Sequence, residues 1–251
     1  MKPRVLSLLL LVLVASCATY QEKYGEPFQK APLSDEKEIE HTFYLIGDAG
    51  KSPIGGLNST LELFRSKLEK ASENSTALFL GDNIYPAGLP DESEDAEGYK
   101  KAKNHIDAQL TTLKDFRGNP LFIAGNHDWY SDGLKGLERQ EKYIQKALDS
   151  KSVFQPKNGC PIEKIEVTEN VIVIAIDTEW YLVDWDKHPT INDDCEIKDR
   201  GRFFEEYESL IKKNLDKTII VALHHPMFTY GSHGGHYSFK QHLFPTGGKI
   251  P

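Results

Sequence analysis

Ala77–Pro86 reads ALFLGDNIYP: an apolar run, a glycine, an aspartate and, three residues further on, a tyrosine. Apolar residues with no polar break, closed by Gly81 and then Pro86, read as a buried strand entering a tight loop. The loop delivers the carboxylate of Asp82 and the phenol of Tyr85 to one rim. One such segment alone reads as a strand end with a turn-forming Asp. The device recurs, however, in Phe43–Gly50 (FYLIGDAG), Leu121–Trp129 (LFIAGNHDW) and Ile220–Pro226 (IVALHHP). Each apolar strand ends in a side chain able to bind a cation: Asp48, Asp82 with Tyr85, Asn126 with His127, and His224. Turn chemistry alone does not require that recurrence.

Between these strands the apolar spacing becomes helical. Leu57, Leu61, Phe64 and Leu68 predict an amphipathic helix to Ala71; Tyr99, Ala102, Ile106, Leu110 and Leu113 predict one over 99–116; Leu134, Leu137, Ile144 and Leu148 mark a third. His105, in the second of these helices, reads as a surface or packing residue. Ile162–Val167 and Val171–Ile176 read as two strands, the second ending at Asp177, a structural terminator. Trp180–Asp199 reads as an aromatic and acidic loop, Phe203–Ile211 as a helix and Thr218–Leu223 as a strand. Ala87–Gly98, with its acidic run DESEDAE, reads as a solvated insert and lacks calcium-loop spacing. Alternating strands and helices predict α/β layering, with functional groups at the carboxyl ends of the strands.

The 251 residues suffice for one sizeable domain over 41–251. A net charge of −8 gives no support for binding a nucleic-acid backbone, and a phosphate-bearing ligand would need a local positive centre. Lys2 and Arg4 precede the apolar stretch Val5–Ala15, too short to span a bilayer and ending in VASC. This resembles a bacterial lipobox. It implies a signal peptide over 1–16, a lipid on Cys17, a polar tether over 17–40 and an envelope location. Cys160 and Cys195 are then an even pair in an oxidising compartment, a candidate disulfide.

Aspartates, an amide oxygen and imidazoles form a mixed O/N ligand set whose oxygen-rich part suits hard ions. A phenolate ligand calls for a strongly polarising cation such as Fe(III). GDAG, GDNIY, GNHDW and HHP in this order resemble the calcineurin-like metallophosphoesterases, and the tyrosine of GDNIY resembles the purple acid phosphatase branch. The resemblance implies a four-layer α-β-β-α sandwich of mixed sheets holding two metal ions, Fe(III) plus a divalent Fe, Zn or Mn. Asp48 and Tyr85 would bind the first, Asp82 would bridge, and Asn126 and His224 would bind the second. The family pattern His-x-Pro selects His224 over His225. His127 would contact the phosphate, Asp128 would orient His127, and His233 would be the general acid. His236 and His242 have no counterpart.

The implied reaction is acid-phosphatase-like hydrolysis of phosphorylated small molecules. A nucleotide phosphodiesterase and a non-catalytic envelope binding protein are the alternatives. The family's closing Gly-His-x-His motif does not occur in the 251 residues. The chain is therefore expected to be a C-terminal truncation with weakened metal binding and low activity. Oligomeric state is left open.

Overall fold

The computed structural model describes residues 38–185, 188 and 190–226. The leader, Cys17 and most of the tether lie outside them, as do His233, His236 and His242. In order the elements are β1 (Thr42–Ile46), α1 (Ser59–Leu68), β2 (Ser75–Leu80), α2 (Ala96–Thr112), β3 (Asn119–Ile123), α3 (Leu134–Ala147), β4 (Ile162–Glu166), β5 (Val171–Ile176), α4 (Thr178–Leu182), α5 (Arg200–Lys213) and β6 (Thr218–Leu223). Among the described residues no helix is long and apolar enough to cross a membrane.

The strands form two three-stranded sheets, β1-β2-β3 and β4-β5-β6. The first is wholly parallel, and α1 and α2 supply the crossovers that parallel neighbours need. The second is mixed, with β4 antiparallel and β6 parallel to β5. Alternation of side chains sorts each central strand by face. Leu78, Leu121 and Ile123 meet Val173, Ala175 and Ala222 in one cluster, so the two sheets pack face to face. The other faces carry Phe79 and Phe122, stacked at 4.0 Å with Phe64 of α1 edge-on to Phe79, and Ile172, Ile174 and Ile176, clustered with Trp180 and Phe203. The result is a mixed α/β sandwich with helices outside two sheets.

Two boundaries depart from the sequence. Helix α2 begins at Ala96, inside the expected polar insert, because the Asp95 carboxylate caps it by accepting from the Gly98 N–H at 2.8 Å. The expected loop over 180–199 carries most of the short helix α4, capped by Asp177, whose side chain accepts from the Trp180 N–H. Downstream, a disulfide joins Cys160 to Cys195, with their Cα atoms 5.5 Å apart.

Candidate metal centre

Parallel strands place their carboxyl ends together, so the residues after β1, β2, β3 and β6 converge. Asp48 and Asp82 both sit in the left-handed backbone region, at φ 54° and 53°. Aspartate tolerates that region better than branched residues, and such outliers concentrate at functional sites. The loops touch through backbone. Gly50 carbonyl accepts from the Tyr85 N–H at 2.9 Å, and Gly81 carbonyl from the Asp48 N–H at 3.2 Å. A Cβ on Gly125 would lie 2.3 Å from the Asp82 nitrogen, so glycine alone permits that approach.

Asp82 is the hub, only 3% exposed. Its Oδ1 accepts from the His127 backbone N–H at 3.0 Å and lies 3.4 Å from His224 Nε2. Its Oδ2 lies 2.7 Å from the Tyr85 hydroxyl, which also reaches Asp48 Oδ1 at 2.6 Å. One phenol has one proton, yet two carboxylate oxygens crowd its oxygen. Burial, then these two carboxylates, push the phenol pKa well up, so only a strongly polarising cation would displace its proton. The donor atoms of Asp48, Asp82 and His224 lie within 4.8 Å of one another. His224 Nδ1 lies 2.8 Å from the Leu80 carbonyl, the usual way a ligating imidazole is oriented, leaving Nε2 on the Asp82 side. An excess of anionic oxygens beside an aimed imidazole fits a bound cation.

His127 is held alike, with Nδ1 2.5 Å from the Pro86 carbonyl and Nε2 3.9 Å from Asp82 Oδ2. Its ring lies between Tyr85 at 4.6 Å and Tyr130 at 4.8 Å. Asn126, one residue earlier, donates its amide N–H to the Tyr130 hydroxyl at 2.6 Å. His225 turns away to Thr178, with Nδ1 2.6 Å from its hydroxyl.

The expectation that Asp128 orients His127 is corrected. Both ring nitrogens of His127 face other groups, and the wholly buried Asp128 carboxylate accepts from the N–H groups of Asn83, Ile84 and Gly125 and from the side chains of Asn83 and Gln140. It staples the β2 loop to the β3 loop. Burial lifts its pKa to about 6 against the pull of those donors. Asp177 makes a similar tie across the sheets by accepting from Trp129 Nε1 at 2.9 Å, and burial lifts it to about 8.

Glu179 of α4 was not singled out in the sequence. Burial lifts its pKa to about 7, and its charge is felt by His224, Asp82 and His127, which places it beside the centre. The only sequence signal is its position two residues after a strand-end aspartate. Helix α2 clamps both aspartate loops. Gln109 donates to the Asn83 carbonyl at 2.7 Å, Asn104 accepts from the Gly55 N–H at 2.8 Å, and His105 Nδ1 accepts from the Ser52 N–H at 3.1 Å. His105 is thus a loop clamp and must be unprotonated at Nδ1.

Burial, then Lys51, lowers the His105 pKa from its ordinary 6.5. The folded chain favours the neutral ring, so the unfolded chain takes up the proton first. Stability from this group is complete above pH 6.5 and is lost as pH falls through the lowered folded value. Between pH 7.5 and 5, the wild-type chain is expected to lose about 1 kcal/mol more than His105→Asn, the worth of one hydrogen bond. Urea midpoints at both pH values test this, and parallel losses would count against it.

An α/β sandwich whose strand ends gather carboxylates, a phenol and imidazoles around one carboxylate hub defines a metal-dependent hydrolase centre. The chain matches the family model of the calcineurin-like phosphoesterases over residues 41–248 and belongs to that family. Membership makes it a metal-dependent phosphoesterase of a family that typically binds two metal ions, acting on phosphorylated substrates. No curated protein matches the chain.

Proposed function

We propose that the chain is a purple acid phosphatase-like phosphomonoesterase of the bacterial envelope, tethered by a lipid on Cys17. The observation that carries this is the Tyr85 hydroxyl set 2.6 and 2.7 Å from Asp48 and Asp82, a phenol within the candidate ligand set. Asp48, Tyr85 and Asp82 would hold Fe(III); Asp82, Asn126 and His224 would hold a divalent Fe, Zn or Mn ion. When bound, such a pair supplies activation of water and neutralises charge on the phosphoryl group.

The chain's own residues do the rest. The Pro86 carbonyl accepts the Nδ1–H of His127 and fixes the ring; in the imidazolium form its Nε2–H is then the group that can donate to a phosphoryl oxygen. His233, outside the described residues, is the candidate donor of a proton to the leaving alcohol. Asp128 keeps the His127 loop against the Asp82 loop.

Iron loading followed by visible spectroscopy and assay with p-nitrophenyl phosphate tests the reading. A phenolate absorption band and phosphate release are expected, with the band abolished in Tyr85→Phe. Hydrolysis with zinc alone and no band with iron would retain the phosphoesterase and remove it from the iron-binding branch.

A further inference from the structure

We propose that Tyr130 is a positioning residue for the second cation, because its hydroxyl accepts the Asn126 amide N–H at 2.6 Å and so turns that amide's oxygen toward the ligand set. This rests on the assignment of Asn126 as a ligand. An asparagine side chain has two ends of similar size and opposite character. Only the carbonyl oxygen binds a cation; the NH2 end repels one. A carboxylate presents oxygen either way, so an aspartate at this position would not have the problem.

The surroundings show how the choice is made. Asn126 lies between two residues that touch the hub: a Cβ on Gly125 would meet Asp82 Oδ1 at 2.4 Å and His224 Cε1 at 3.0 Å, and the His127 N–H binds Asp82 Oδ1. The Asn126 backbone starts the short helical turn His127–Trp129, which places Tyr130 four residues on, back over the Asn126 side chain. The Tyr130 ring is fixed against the His127 ring at 4.8 Å, and His127 in turn packs on Tyr85. The hydroxyl is therefore delivered at a set place, where it engages the NH2 end, so that Oδ1 is the amide atom left to meet a cation. A cation drawing on Oδ1 polarises the amide and strengthens the N–H donor, so the two contacts reinforce each other.

Tyr130 is 54% exposed, so Tyr130→Phe keeps the ring and removes only the acceptor, with no cavity. Mn(II) titration followed by calorimetry and electron paramagnetic resonance tests the proposal. In Tyr130→Phe one of the two Mn(II) sites is expected to lose about 10- to 100-fold in affinity, the usual effect of removing a partner that orients a ligand, while the other is unchanged. In the Asn126→Asp background the same Tyr130→Phe change is expected to cost less than about threefold, because a carboxylate needs no orienting. A purely structural role would show the same loss in both backgrounds and would overturn the proposal. Wild-type affinity in Tyr130→Phe, with affinity lost in Asn126→Ala, would overturn the proposal and leave the ligand assignment standing. Wild-type affinity in Asn126→Ala would overturn both.

Discussion

Asp82→Asn is expected to lower metal affinity by more than about a hundredfold, beyond the range seen when only an orienting partner is lost, and to abolish phosphoester hydrolysis. Asparagine suits the test because it tolerates φ 53° nearly as well as aspartate, so the backbone need not move. What changes is the hub. One oxygen becomes an NH2 group facing Tyr85, His127 or His224, and the charge that would be shared between two cations is lost. Without metal the outcome runs the other way. Asp48, Asp82 and the Tyr85 oxygen repel one another with one phenol proton among them. The asparagine chain in chelator should melt no lower than the parent, the signature of a site assembled for binding at the expense of stability. Metal content after dialysis, turnover and melting in chelator measure these effects. An asparagine chain that retains stoichiometric metal would remove Asp82 from the hub.

Gly50→Ala is expected to be strongly damaging both to the fold and to the candidate centre. Its Cβ would lie 2.4 Å from the Asp82 carbonyl oxygen, 2.6 Å from the Ile84 nitrogen and 2.7 Å from the Asn83 carbonyl carbon. All three are backbone atoms, held from behind by Gln109 and Asp128, so no flexible side chain can yield. The β1 and β2 loops must part, taking Asp48 away from Asp82. Overpacking of this kind costs about 3 kcal/mol or more, which for a chain of this size lowers Tm by roughly 6–12 °C. Gly56→Ala is the control. A Cβ there meets only Pro53 Cγ at 3.6 Å, an ordinary contact, and melting should barely change. Equal melting of the two variants, with metal binding intact, would show that the loops are not in obligatory contact.

The strands and their end residues were legible because their signal is local: an apolar run, a glycine, then a polar side chain. That pattern marks β1, β2 and β3, which run into Gly47, Gly81 and Gly125, while β5 and β6 were readable as apolar runs closed by Asp177 and His224 without a glycine; Asp48, Asp82, Tyr85, His127 and His224 lie together at these strand ends. Composition alone does not separate the adjacent histidines; the His-x-Pro pattern selected His224, and partners distant in sequence distinguish the two in space, Leu80 for His224 and Thr178 for His225. Asp128 was misread for the same reason. Its neighbour in sequence is His127, but most of its partners lie elsewhere, in Asn83 and Ile84 some 45 residues earlier and in Gln140 twelve residues later. His105, Gln109 and Glu179 carry no motif at all; their roles come from the packing of α2 and α4 against the strand-end loops. Periodicity also misses a five-residue helix such as α4, which is shorter than two turns.

The order of the elements along the chain has a consequence for synthesis. The first sheet is contiguous in sequence, ending at Ile123, and Asp48, Asp82, Tyr85, Asn126 and His127 have all been translated once residue 127 is added. His224 follows about a hundred residues later, a delay of roughly 5–20 s at ordinary elongation speeds. During that interval the chain already carries the oxygen-rich part of the candidate ligand set, while the imidazole of His224 has yet to be added. Which ion is captured can thus be decided by the compartment in which the chain first folds as much as by the finished ligand set.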